Sequence, residues 1–231
     1  MSKIKSYLVH LSPAYKIVMT LIPIVLLLLQ VQALLVLEFD ILPFTLAVIV
    51  FADVFSDYFT FGGIYSKDAR VQSFYKISPR GKNIYLNVFL IHGLRRILLY
   101  FGYVLVSTIL VLLLNKGETL LLMAGGTWTG YLISVLVEVF GVYAYSVVAC
   151  FICRKLDMVM VSFAIAVWGT TFMMILNLIR MWTPVHVKIT LLIIMIIISL
   201  AATVFLLWYN RKKMEDSYYD EKTFKRNQSG I

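Results

Sequence analysis

The chain has 231 residues, 61% of them apolar and 14% charged, with a formal net charge of +9. A mean hydropathy of +0.89 and repeated apolar runs of 18 or more residues exclude one or two water-soluble domains and indicate membrane-spanning helices. The positive charge would raise nucleic acid as a partner of a soluble protein; here its placement relative to the apolar runs explains it.

The fold class expected is all-α: a polytopic membrane protein with six transmembrane helices. Residues 2–15 carry Ile4, Leu8, Leu11 and Tyr15 on one face, with Lys3 and Lys5 off it. This pattern predicts an amphipathic helix lying in the interface, ended by Ser12-Pro13. The first span is expected at 17–37, too long an apolar stretch for a cleaved signal. Glu38, Asp40 and Pro43 mark a turn, and the second span follows at 42–61.

Residues 62–82, GGIYSKDARVQSFYKISPRGK, are a long polar interruption. Gly62-Gly63 ends the span before it. Ser66 is typed as an N-cap, with Asp68 in the first turn facing the positive end of the helix dipole. Val71, Phe74, Tyr75 and Ser78 recur at helical spacing, and Pro79 pushes Ser78 out of the α region. A helix of about 11 residues, roughly 16 Å, results. It is too short to cross a bilayer and too basic to enter one.

A third span is expected at 84–114, with Arg95 and Arg96 at headgroup level. Asn115-Lys116-Gly117-Glu118 turns the chain. Residues 119–153 are too long for one upright span, so they tilt strongly or break near Gly125-Gly126. Fifth and sixth spans follow at about 158–179 and 189–209, separated by a polar connection from Arg180 to Lys188. A single membrane domain thus occupies 1–210, with a polar tail at 211–231.

Six spans put both termini on one side. Eighteen of the 21 lysines and arginines then fall on that side, leaving Lys116, Arg180 and Lys188 opposite. By the positive-inside rule both ends are cytoplasmic, in a multi-pass protein of the cell membrane. The basic excess is topological, and nucleic acid need not be invoked.

No catalytic constellation is visible. Arg80-Gly81-Lys82-Asn83 lacks the spacing and hydroxyl of a P-loop, and neither H-E-x-x-H nor G-x-S-x-G occurs. The histidines, His10, His92 and His186, are divided between the two sides. Cys150 and Cys153 form a C-x-x-C at a span end without the further ligands that zinc needs. They read as small apolar side chains. No catalytic, cofactor or metal site is expected.

Acidic residues within spans stand out. Asp53 and Asp57 are one turn apart on one face, and Glu138 lies in the fourth span. Each costs about 2.5–3.5 kcal/mol near the bilayer centre, so each must face protein or water. Asp57 is expected to form a structural ion pair with Arg95 or Arg96. Asp53 and Glu138 are the candidates for a polar translocation path. Tyr7, Tyr15, Tyr65, Tyr75, Trp182, Trp208 and Tyr209 fall at span ends, as an aromatic belt does.

The amphipathic lead, the six spans and above all the segment FGGIYSKDARVQSFYKISPRGKNIY resemble the permease subunits of type-2 ATP-binding-cassette exporters, particularly small bacterial ones associated with peptide or bacteriocin export. The resemblance implies a coupling helix at 66–78, with Lys67, Arg70, Phe74 and Tyr75 as contacts for a separate cytoplasmic ATPase subunit. It implies a second permease chain, identical or related, and ATP with magnesium held by the partner ATPase and not by this chain. The chain departs from the family in one respect, for only Arg180–Lys188 is available where many members carry re-entrant helices. Two other classes stay open: a substrate-binding membrane subunit for vitamin uptake, and an intramembrane enzyme.

Overall fold

A computed structural model describes residues 8, 11–36, 41–60, 79–122, 126–156 and 159–215. Among them every regular element is a helix: α1 Pro13–Val36, α2 Leu42–Thr60, α3 Pro79–Leu113, α4 Gly117–Leu122, α5 Trp128–Leu156, α6 Val159–Trp182 and α7 Val185–Glu215. Five of these (α1, α3, α5, α6 and α7) are long and apolar enough to cross a membrane. The remaining long helix, α2, has 19 residues and carries Asp53 and Asp57.

Local chemistry explains several helix ends. Ser12 Oγ accepts the Tyr15 N–H at 3.2 Å, capping α1. Pro13 takes the first helical position, where its missing N–H costs nothing. Proline thus starts α1, and residues 13–15 belong to the long helix. The expected interface helix otherwise falls largely on residues outside those described.

The stretch 119–153 is broken. The chain leaves α4 at Leu122 and α5 starts at Trp128, with Gly126 at φ +80°, a conformation that glycine adopts without a Cβ clash. The polar connection expected from Arg180 to Lys188 shrinks to Thr183-Pro184. The carbonyl of Pro184 accepts from the N–H groups of Val187 and Lys188, so α7 begins four residues before the expected span. Lys188, counted by sequence among the outer loop charges, is 2% exposed on the first turns of α7.

Helix directions follow from side-chain pairs. Tyr15 meets Asp53, Asp57 meets His92, and Tyr100 meets Ser146, so α1, α2, α3 and α5 alternate in direction. Tyr143 meets Thr203 and Phe151 meets Tyr209, so α5 and α7 run parallel. α5 is the central post. Two thirds of its apolar stretch (67%) is buried, against 11% for α7. Gly141 and Gly169 allow α5 and α6 to approach closely. A Cβ on Gly141 would stand 2.8 Å from Leu176 Cδ1, and one on Gly169 2.6 Å from Tyr145 Cε1.

Candidate functional site

The geometry converges on a cluster of charged and polar side chains between α1, α2, α3 and α5. Asp53 lies at its centre, completely buried. Its Oδ1 accepts from Tyr15 Oη at 2.8 Å and from Arg95 Nη2. Its Oδ2 accepts from Arg96 Nε at 2.6 Å and from Tyr100 Oη at 2.9 Å. One carboxylate thus holds two other helices, α1 and α3, through four donors. Charge-assisted bonds of this length are the strong kind.

Arg96 is the second hub. Its Nη2 reaches Asp57 Oδ1 at 2.7 Å and Cys150 Sγ at 2.9 Å, so its guanidinium bridges the two aspartates and touches α5. The planar fork suits this role, because its donors are fixed relative to one another. Asp57 Oδ1 also lies 2.8 Å from His92 Nε2. An ionised carboxylate only accepts, so Nε2 carries the imidazole proton in this pairing. The same logic orients the Tyr100 hydroxyl. Its single proton goes to Asp53, and Ser146, 2.8 Å away, donates to the Tyr100 oxygen. Arg95 stacks over the Tyr15 ring at 4.9 Å to its centroid.

Two aspartates and two arginines make a cluster with no net charge when His92 is neutral. That balance is what burial requires, since an isolated buried ion costs several kcal/mol. The sequence expectation put Arg95 and Arg96 at headgroup level. Arg96 is 3% exposed and turned into the bundle, where it pairs with the carboxylates of α2.

The structure brings together Asp53, Asp57, Arg95 and Arg96. Asp53, expected on a translocation path, is enclosed by its donors. Glu138 is buried on α5, eight residues before Ser146 and so about 12 Å further along the helix. It belongs to a different level. Lys67, Arg70, Phe74 and Tyr75, with the whole of 66–78, lie outside the described residues.

Sequence reasoning missed Tyr15, His92, Tyr100, Ser146 and Cys150. Tyr15 reads as an aromatic-belt residue but is 3% exposed within the cluster. One signal was available. His92 and Arg96 are four apart, as are Asp53 and Asp57, so each pair shares a helix face and the two faces match in chemistry.

Beside the cluster a cavity of about 30 Å³ is lined by His92, Gly93 and Arg96 of α3, Tyr143 of α5 and Thr203 of α7. It is large enough for about one water molecule. The Thr203 hydroxyl donates to the Ser199 carbonyl at 2.7 Å and therefore accepts from Tyr143 at 3.0 Å. Among the described residues no group of three or more His, Cys, Asp or Glu side chains is placed to hold a metal ion. Compared with protein-family models, with curated proteins and with solved structures, the chain matches none.

Proposed function

We propose that this chain is the membrane-spanning permease subunit of an ATP-driven exporter, set in motion by a separate cytoplasmic ATPase through residues 66–78. The observation that carries this reading is the position of the buried cluster in the chain. Asp53 and Asp57 lie just before that segment on α2, and His92, Arg95 and Arg96 lie after it on α3. The two helices that flank the segment are thus clamped together by desolvated ion pairs, and the clamp extends to α1 through Tyr15 and to α5 through Ser146 and Cys150. A push on 66–78 would move four helices as one body, because separating them would strand buried charges.

In this reading α2 is the sixth span, both termini are cytoplasmic, and two permease chains enclose a path for a peptide or another amphipathic substrate. Lys67, Arg70, Phe74 and Tyr75 contact the ATPase, which holds ATP and magnesium. Glu138, buried at another level, is the candidate for the path. Labelling a single cysteine placed in 66–78 from each side of the membrane tests the reading, together with co-purification of a P-loop ATPase. Labelling only from the cytoplasm, with the ATPase retained, is expected. Labelling only from outside removes the proposed point of attachment.

A further inference from the structure

The last turns of α7 carry a feature that the permease reading does not use. Ile194, Ile197, Ile198, Ala201, Phe205, Trp208 and Lys212 fall on one face at helical spacing and are all exposed, forming one stripe along the helix. From Ile194 to Trp208 the stripe is apolar over about 21 Å, enough to line one leaflet of a bilayer whose core is about 30 Å thick. It ends in an aromatic group and then in positive charge. Phe205 and Trp208 rings lie 6.1 Å apart, and Phe205 stacks on Tyr209 at 6.4 Å. Tyr209 is braced edge-on against Phe151 of α5 at 5.2 Å. The Lys212 ammonium sits 5.4 Å from the Trp208 ring centroid, with exposed Arg211 beside it.

We infer that this end of α7 is a binding site for an anionic phospholipid, its acyl chain along the isoleucine stripe and its phosphate at Lys212 and Arg211. The order of groups matches the order of a lipid read from tail to head: hydrocarbon, then the indole at the boundary, then cations. Cation–π contact holds the ammonium over the ring face and limits the conformations it loses on binding. Two cations favour a headgroup with net negative charge over a zwitterionic one, whose own ammonium they repel. The inference rests only on α7 spanning the bilayer and stands or falls apart from the exporter reading.

The test uses the full chain in nanodiscs containing equal palmitoyl-oleoyl phosphatidylglycerol and phosphatidylcholine, with retained lipid counted by native mass spectrometry. Phosphatidylglycerol is expected to be retained preferentially. Arg211→Gln and Lys212→Gln should each reduce that preference about fivefold, and the double variant about 25-fold, at roughly 1 kcal/mol per cation. Lys116→Gln, which is far from the stripe, should leave it unchanged. Equal retention of the two lipids, or an unchanged preference in the double variant, would overturn the inference. So would displacement of phosphatidylglycerol by millimolar glycerol phosphate, which would make this a free-phosphate site.

Discussion

Tyr15 and Asp53, thirty-eight residues apart, share a hydrogen bond of 2.8 Å in which the first turn of α1 donates to the middle of α2. The contact fixes α1, a helix that is otherwise largely exposed, to the interior of the bundle. Tyr15→Phe keeps the ring under Arg95 and removes only the donor. Asp53 retains three other donors, so the loss should be about 1 kcal/mol, and Tyr15→Ala should cost more by removing the ring as well. Thermal unfolding in detergent, followed by size-exclusion chromatography, checks the order.

Arg96 serves both aspartates, and its removal should be the most damaging single change in the cluster. Arg96→Met leaves Asp53 and Asp57 buried with fewer donors, and a cost of about 3–5 kcal/mol is expected. Asp57→Asn should be milder than Asp53→Asn, because Asp53 accepts from four side chains and sits at the centre. Yield of monodisperse protein together with thermal midpoints reads both comparisons. Equal midpoints for the two asparagine variants would mean that the hubs are misassigned.

The two close glycines of the α5–α6 contact should respond differently to alanine. At Gly141 the new methyl meets the end of a leucine, which can turn aside. At Gly169 it meets the Tyr145 ring, whose hydroxyl is tied to the Ile165 carbonyl and which stacks on Phe172 at 5.4 Å. Gly169→Ala should therefore cost about 1–3 kcal/mol and Gly141→Ala less. Thermal midpoints decide, and the reverse order would contradict the packing described.

The exporter reading makes two demands of its own. Reversing charge at Lys67 and Arg70 together should weaken retention of the ATPase subunit in pull-down, with the fold of the membrane part unchanged. Glu138→Gln should alter transport in vesicles while the thermal midpoint stays within about 1 kcal/mol of the parent. Normal transport in that variant would take Glu138 out of the path.

Much of the helical layout was legible because lipid imposes a simple rule: backbone polar groups must be satisfied within each apolar run. The length of those runs therefore places the helices. The ends were less legible. Pro13 reads as the end of a lead segment and Pro184 falls within the expected polar connection, yet both lead into helices, since proline is tolerated at a first turn. Acid on α2 and base on α3 pointed towards each other before any coordinates. Tyr15 and Tyr100 did not, because tyrosine is equally at home in a core and at a membrane boundary. Cys150 was unreadable for a related reason. A thiol looks apolar in sequence, and only proximity to Arg96 gives it an acceptor's role.

Asp53 and Asp57 emerge from the ribosome before the arginines that neutralise them, and long before Ser146 and Cys150. During synthesis α2 would meet the hydrocarbon with two uncompensated acids, at about 2.5–3.5 kcal/mol each. The second helix is therefore a poor candidate for independent insertion. It should wait at the translocation machinery until α3 arrives and enter with it as a hairpin. Biogenesis of this protein is tied to the order in which its charges are made.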